Sequence, residues 1–269
     1  MKITRELIVK PGKKIKLSDR DPDSTPGFKD KKVAESLLAK STARLSELQQ
    51  RLYAEGRRSL LIVLQAMDAG GKDGTIRQVM SGVNPQSCAV TSFKSPSSDE
   101  LAHDYLWRIH NHVPRKGEVG IFNRSHYEDV LIVRVHDIVP REIWTQRFDQ
   151  INAFEKMLSE NNVQIIKFFL HISKDEQLRR FKSRLEDPAK NWKADPSDFQ
   201  ERKFWDDYQK AYEDVLAKCS TPWAPWYIIP ANKKWYRNLA VSQIIVEHLE
   251  AMDLKFPKPK AEIADYIVK

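Results

Sequence analysis

Apolar positions along the chain follow two alternating patterns. From about Lys32 to Ala54, with no proline or glycine, Leu37, Leu38, Leu45, Leu48 and Leu52 recur at helical spacing. SLLIVLQAM (59–67) is instead a short continuous run of strand formers, and TIRQVMSGV (75–83) returns to a helical pattern that ends near Gly82. CAVTSF (88–93) predicts a second strand. Ser97 and Glu100 form a capping-box pair that predicts a helix with Leu101, Tyr105 and Ile109 on one face. VGIFN (119–123) is the next apolar run, followed by polar SHYED and then LIVRV.

The alternation continues to the end. Trp144, Phe148, Ile151 and Leu158 predict a helix over 141–160, and VQIIKFFLHI (163–172) predicts a buried strand. Ser173 with Glu176 marks another helix start, running to about Leu185 with Leu178, Phe181 and Leu185 inward and the arginines outward. A long charged helix over about 197–218, a strand in PWYIIPA (225–231) and a helix over about 234–253 complete the pattern. Strands alternating with amphipathic helices imply an α/β fold with a mostly parallel sheet. Residues 1–31, polar, basic and broken by Pro11, Pro22 and Pro26, read as an extended arm, and 32–269 as a single domain.

Composition narrows the class. The charge is +8 and no apolar run approaches the ~18 residues of a spanning helix, so no membrane partner is expected. The start MKITRELIVKPGKK lacks a secretory pattern, and two cysteines, Cys88 and Cys219, are too few for a disulfide framework, so a reducing cytoplasmic setting is expected. The positive balance points to a polyanionic partner. Only nine glycines occur, and three of them, Gly70, Gly71 and Gly74, fall within five residues. That clustering predicts special backbone geometry.

The glycines lie between a strand and a helix, the context of a phosphate-binding loop: Asp68, Ala69, Gly70, Gly71, Lys72, Asp73, Gly74, Thr75. Backbone amides and the helix N-terminus would cradle phosphate, with Lys72 on its terminal unit. The match to the usual pattern departs in two places. Ala66 stands for the first glycine, and Asp73 replaces the hydroxyl residue after the lysine, although Thr75 is near. Asp68, acidic inside an anion cradle, suggests a metal ligand or a group that positions an acceptor phosphate.

A second strand end carries Asn123, Arg124, Glu128 and Asp129 in one short turn. Asn123 stands where an aspartate would hold Mg²⁺, so Glu128 is the candidate for the acidic role, and Arg124 for neutralising a transferring phosphoryl group. The basic segment after the last capping box holds Arg179, Arg180 and Arg184, placed as the lid of a small kinase would be. Lys94 and Arg108 would extend an anion track. Five tryptophans crowd the second half and read mostly as core or interface, one of them a candidate to stack on a base. His103, His110 and His112 lack companions at metal-ligand spacing.

The segments QAMDAGGKDGTI, SFKSPSSDELAHDYLWRIH, IFNRSHYEDVLIVRV, KFFLHISKDEQ, LEDPAKNWK and APWYIIPANKKWYRN resemble the signatures of the polyphosphate kinase 2 family, from about residue 6 to 257. The resemblance implies a three-layer α/β/α sandwich, a P-loop kinase related to thymidylate kinase, with a helical lid at about 174–195. It also implies reversible, Mg²⁺-dependent transfer (with Mn²⁺ as a substitute) of the terminal phosphoryl of inorganic polyphosphate to nucleoside diphosphates such as ADP and GDP. A dimer or tetramer is the expected assembly. By the same resemblance Asp68 and Lys72 fall on the Walker-A aspartate and lysine, and Arg124 on the Walker-B arginine. Many members have aspartate at position 123, and Asn123 with Glu128 resembles the class that also accepts monophosphates such as AMP. Mg²⁺ is then expected on Asp68 and Glu128. Two rivals stand beside this reading: an ATP-dependent kinase of a small nucleotide, opposed by the missing hydroxyl after Lys72, and a non-catalytic nucleic-acid-binding module, opposed by the absence of a nucleic-acid-binding motif.

Overall fold

A computed structural model describes residues 2–193 and 195–259. Helix α1 (Lys2–Leu7) is followed by α2 (Lys31–Glu55), whose first amides are capped by the Asp30 carboxylate and whose end is Gly56 in the left-handed conformation. Strand β1 (Ser59–Gln65) is buried at every position, as a central parallel strand must be. Helix α3 (Lys72–Val79) begins on the lysine itself and stops before Gly82. Then come β2 (Cys88–Ser92), the short helices α4 (Ser98–Leu101) and α5 (Trp107–His110), and β3 (Val119–Asn123). A 3-10 turn, His126–Val130, leads into α6 (Ile132–Val135), α7 (Arg141–Glu160) and β4 (Val163–His171). The chain continues through α8 (Lys174–Glu186), α9 (Pro196–Glu201), α10 (Trp205–Cys219), β5 (Trp226–Pro230) and α11 (Lys234–Ala251).

The five strands are all parallel in the order β2-β3-β1-β4-β5. Helices α3 and α11, backed by α2, cover one face, and α7 and α10 the other, giving the three layers expected. Side chains alternate accordingly: Ile62 and Leu64 meet α3 and α11, while Val63 pairs with Lys167 on the opposite side. The register sets Leu64, Ser92 and Asn123 level, so the carboxyl ends of β1, β2 and β3 open onto one cleft.

Three expectations need correction. The arm is not merely extended: Lys2–Leu7 is helical, and Ile3, Leu7, Val9, Ile15 and Leu17 are buried in the core. Ile8 and Val9 bond to β5 across its edge, and the arm then crosses the β5–α11 turn, where the Asn232 side chain donates to Asp23. The helix expected after Ser97 keeps its capping box but breaks, because the Asp104 carboxylate accepts the amide of Leu106 and starts a new turn. Leu101 is left exposed while Ile109 is buried. The charged helix of 197–218 is three pieces, α9 capped by Asp195 with Pro196 at its first position, a 3-10 turn Arg202–Phe204, and α10.

Beneath the turn that follows β3 lies a wholly buried polar cluster. Lys167 in β4 donates from Nζ to Glu155, to Tyr127 Oη at 2.7 Å and to the Cys219 carbonyl at 2.7 Å. Glu155 Oε1 also accepts from Tyr127 Oη at 2.9 Å and faces His126 Nε2 at 3.2 Å. All three ammonium protons are used, which is how a charge survives without water. His126 and Tyr127 are thereby anchored, and with them the chain between Arg124 and Glu128.

Candidate active site

The loop after β1 takes its shape from small residues. Ala69 sits at φ +57° and Gly71 at φ +102°. A Cβ on Gly70 would lie 2.4 Å from the Ala66 Cβ, and one on Gly71 would lie 1.9 Å from Arg237 Nη1. The backbone amides of Lys72 and Gly74, in the first turn of α3, have no protein acceptor among the described residues. Lys72 folds back, its Nζ donating to the Ala66 carbonyl at 3.1 Å. Burial, and after it the neighbouring Arg124, lowers the Lys72 pKa. An ammonium held this way gains from an incoming anion. The hydroxyl of Thr75 is buried and donates to the Gly71 carbonyl at 3.0 Å, so it does not substitute for the hydroxyl missing after Lys72.

Arg124, in the left-handed region at φ +62°, turns its side chain back across the strand ends and bonds Asp68 Oδ1 through Nη2 at 2.9 Å. Burial works against its charge, but Glu128 and then Asp68 outweigh it and hold the guanidinium above its ordinary pKa. Glu128 Oε1 accepts from Gln65 Nε2 at 2.9 Å, and Asn123 Nδ2 donates to Asp73 Oδ1 at 2.8 Å. Five of the expected site residues thus meet at two adjacent strand ends.

The cleft has two lobes. The larger, about 750 Å³, is lined by residues 68–74, Ser92, Phe93, Lys94, Asn123 and Arg124, and on its far wall by Arg184, Lys190, Trp192 and Asp195. The smaller, about 240 Å³, lies against Met67, Glu128, Ile132, Gln177, Glu201, Tyr208 and Tyr212. Asp68, Arg124 and Asp198 border both, so the ion pair stands at their junction. Asp198 has its pKa raised by burial and then by Asp68. Burial and then Glu128 push the Tyr212 hydroxyl well above its ordinary value, so it stays a neutral donor. Sequence patterns did not single out Gln65, Gln177, Asp198, Glu201, Tyr208 or Tyr212, because they join the site only through the fold.

The lid residues divide. Arg179 is exposed and pairs with Glu176, and Arg184 pairs with Asp198 at 3.1 Å on the cleft wall. Arg180 does not point outward as the helical pattern implied. Its Nη1 donates to the Ala69 and Gly70 carbonyls at 2.9 Å each, its Nη2 to those of Ala231 and Asn232, and its Nε to Glu176. It bolts the lid helix to the phosphate loop and to the β5–α11 turn together. The Glu176 carboxylate is spent on these arginines rather than on the helix cap, and Leu185, expected inward, is exposed. Arg108 is likewise buried, donating to the Lys94 carbonyl at 3.0 Å and to Glu100 and lying over Phe93, so it shapes the turn that presents Lys94. Residue 194, within the expected lid, and residues 260–269 lie outside the described residues. Trp192 lies exposed in the large lobe, while Trp205 and Trp226 are core.

For a divalent cation, Asp68 and Glu128 offer carboxylate oxygens on the small lobe, one oxygen of each carrying no hydrogen bond among the described residues. No group of three or more acidic, histidine or cysteine side chains is assembled for a metal among the described residues. Two hard oxygens suit Mg²⁺, which keeps several waters and binds substrate phosphates.

A family model for Polyphosphate kinase 2 (PPK2) matches residues 28–257. The chain is 52% identical over 262 residues to the AMP/ADP-polyphosphate phosphotransferase of Meiothermus ruber, covering 97% of this chain and 98% of that one. It is 46% identical to the ADP-polyphosphate phosphotransferase of Rhodopseudomonas palustris, covering 96% and 94%. A crystal structure of polyphosphate kinase 2 from Arthrobacter aurescens TC1 superposes with a TM-score of 0.95 at 44% identity, covering 98% of this chain and 95% of that one.

Proposed function

The chain belongs to the polyphosphate kinase 2 family, and from that premise we propose that it transfers the terminal phosphoryl of inorganic polyphosphate to nucleotides, reversibly, at the junction of the two lobes. Polyphosphate-dependent nucleotide kinase activity is the reading that its relatives favour over an ATP-dependent kinase or a nucleic-acid-binding module. The observation that carries the chemistry is the Asp68–Arg124 pair, placed between a lobe walled by the phosphate loop and one walled by tyrosines and carboxylates.

The nucleotide's phosphate is already anionic, so no strong base is required, and catalysis is positioning with charge neutralisation. Loop amides and Lys72 hold the donor's terminal phosphate. Arg124 meets charge that spreads over the phosphoryl oxygens as the bond to the donor breaks and that to the acceptor forms. Asp68 and Glu128 would hold Mg²⁺, or Mn²⁺ in its place, which when bound neutralises charge between donor and acceptor phosphates. ADP and GDP are acceptors in this reading. AMP joins them on the strength of Asn123 with Glu128 and of the Meiothermus ruber relative, whose name includes AMP.

Assembly as a dimer or tetramer, and a reducing cytoplasmic setting consistent with the free thiols of Cys88 and Cys219, belong to the same reading. No helix among the described residues is long and apolar enough to cross a membrane. Asp68→Asn and Lys72→Ala are expected to lower transfer by about a thousandfold while the thermal unfolding midpoint changes little. Activity within about tenfold of wild type in either variant would remove this mechanism.

A further inference from the structure

Strand β1 is apolar from Leu60 to Leu64 and ends on a polar residue, Gln65. Gln65 is wholly buried and pairs in register with Phe169 of β4. Lying two residues after Val63, it projects to the sheet face covered by α7 and α10, against which the turn His126–Val130 is packed. Its Nε2 donates to Glu128 Oε1 at 2.9 Å. Only the nitrogen end of the amide can face a carboxylate, so Oε1 turns the other way, where it is buried with no hydrogen-bond partner among the described residues. An apolar side chain of that size would avoid the cost of an unsatisfied carbonyl at the end of a core strand. What the amide contributes instead is its bond to Glu128.

Among the described residues Gln65 is the one group bonded to the Glu128 carboxylate, which forms no ion pair there. A cation is nevertheless close. Burial opposes the charge of Arg124, and Glu128 is the largest influence in its favour, ahead of Asp68. A Glu128 free to rotate would move toward that guanidinium and compete with Asp68 for it. Tethered by Gln65, Glu128 stays on the wall of the small lobe with one oxygen unbonded, and Asp68 keeps Arg124 at 2.9 Å.

Resting on the functional reading above, we infer that Gln65 is a positioning residue for acceptor choice: it fixes the rotamer of Glu128 and, through Glu128, the use of a nucleoside monophosphate. The two kinds of acceptor depend on the protein unequally. ADP brings two phosphates to the site and AMP one, so AMP leaves more of the alignment to side chains already held in place. Gln65 lines neither lobe, so it acts only through Glu128.

The test is a double-mutant cycle that reads kcat/KM for AMP and for ADP with long-chain polyphosphate as donor, and the thermal unfolding midpoint of each variant. Gln65→Met keeps the length of the side chain and removes the donor. It is expected to lower kcat/KM about tenfold for AMP and less than about threefold for ADP, with the midpoint unchanged or raised. In the Glu128→Ala background the same substitution should change AMP transfer by less than about twofold, because the group it acts through is gone. Equal losses for the two acceptors, or a Gln65→Met effect undiminished in Glu128→Ala, would overturn the assignment and leave Gln65 a packing residue. Glu128→Asp needs no change in the core: its carboxylate stops one methylene short of Gln65, and AMP transfer at the wild-type rate would refute the tether. Wild type that forms no ATP from polyphosphate and ADP would instead defeat the functional reading itself.

Discussion

Arg180 separates two accounts of the lid. A side chain whose task is to meet polyphosphate would tolerate lysine, since the charge remains. The geometry assigns it a different task, because one planar fork bonds four carbonyls on two loops as well as Glu176. Lysine presents its donors from a single point and cannot span both loops. At least two charge-assisted bonds are lost, at roughly 1.5–3 kcal/mol each, and partial rehydration leaves a cost of about 3 kcal/mol. For a chain of 269 residues that cost lowers the unfolding midpoint by about 5 °C. The loop would also lose its registration with the lid, and a displacement near 1 Å costs about a hundredfold in rate. Arg180→Lys is therefore expected to lose both stability in calorimetry and kcat in an assay of ATP formed from polyphosphate and ADP. A variant with a wild-type midpoint and kcat, changed only in KM for polyphosphate, would refute the bolt and restore a ligand role.

Three further outcomes follow from groups away from the loop. Lys167→Met leaves Glu155 buried without its cation and should cost about 3–5 kcal/mol in urea unfolding; an unchanged midpoint would show that the pair contributes nothing. Burial raises the Asp129 pKa to about 6, against the pull of Arg147. Folding therefore takes up a proton between the ordinary aspartate value and about pH 6, so the Asp129 contribution to stability falls as pH rises through that window. Wild type should lose up to about 3 kcal/mol relative to Asp129→Asn between pH 4 and 6, and parallel stability profiles would contradict this. Glu128→Ala should slow AMP phosphorylation more than ADP phosphorylation, and equal losses would reject its part in acceptor choice.

Much of this was legible in the residues because it is local. β1, the glycine cluster and the helix beginning at Lys72 are contiguous, and a buried parallel strand cannot avoid being an apolar run. The turn from Asn123 to Glu128 was legible for the same reason. The bonds of Arg180 and Arg108 are not legible because periodicity gives a helix face but not the loop that will lie against it; two of the carbonyls that Arg180 meets, those of Ala69 and Gly70, are more than 100 residues away. Lys167 did leave a trace, a lone cation inside the apolar run VQIIKFFLHI, which only a buried partner explains. The packing of the arm is not legible in the sequence because Ile3, Leu7, Val9, Ile15 and Leu17 are scattered among lysines and come together only in the fold.

Every role proposed for these residues depends on polyphosphate being the phosphoryl donor. The donor is identified by incubating the purified protein with long-chain polyphosphate and Mg²⁺, separately with AMP, ADP and GDP, and resolving the nucleotides by chromatography. ATP from ADP, GTP from GDP and ADP from AMP are expected only when polyphosphate is present. No product from any acceptor, with transfer restored when ATP replaces polyphosphate, would contradict it.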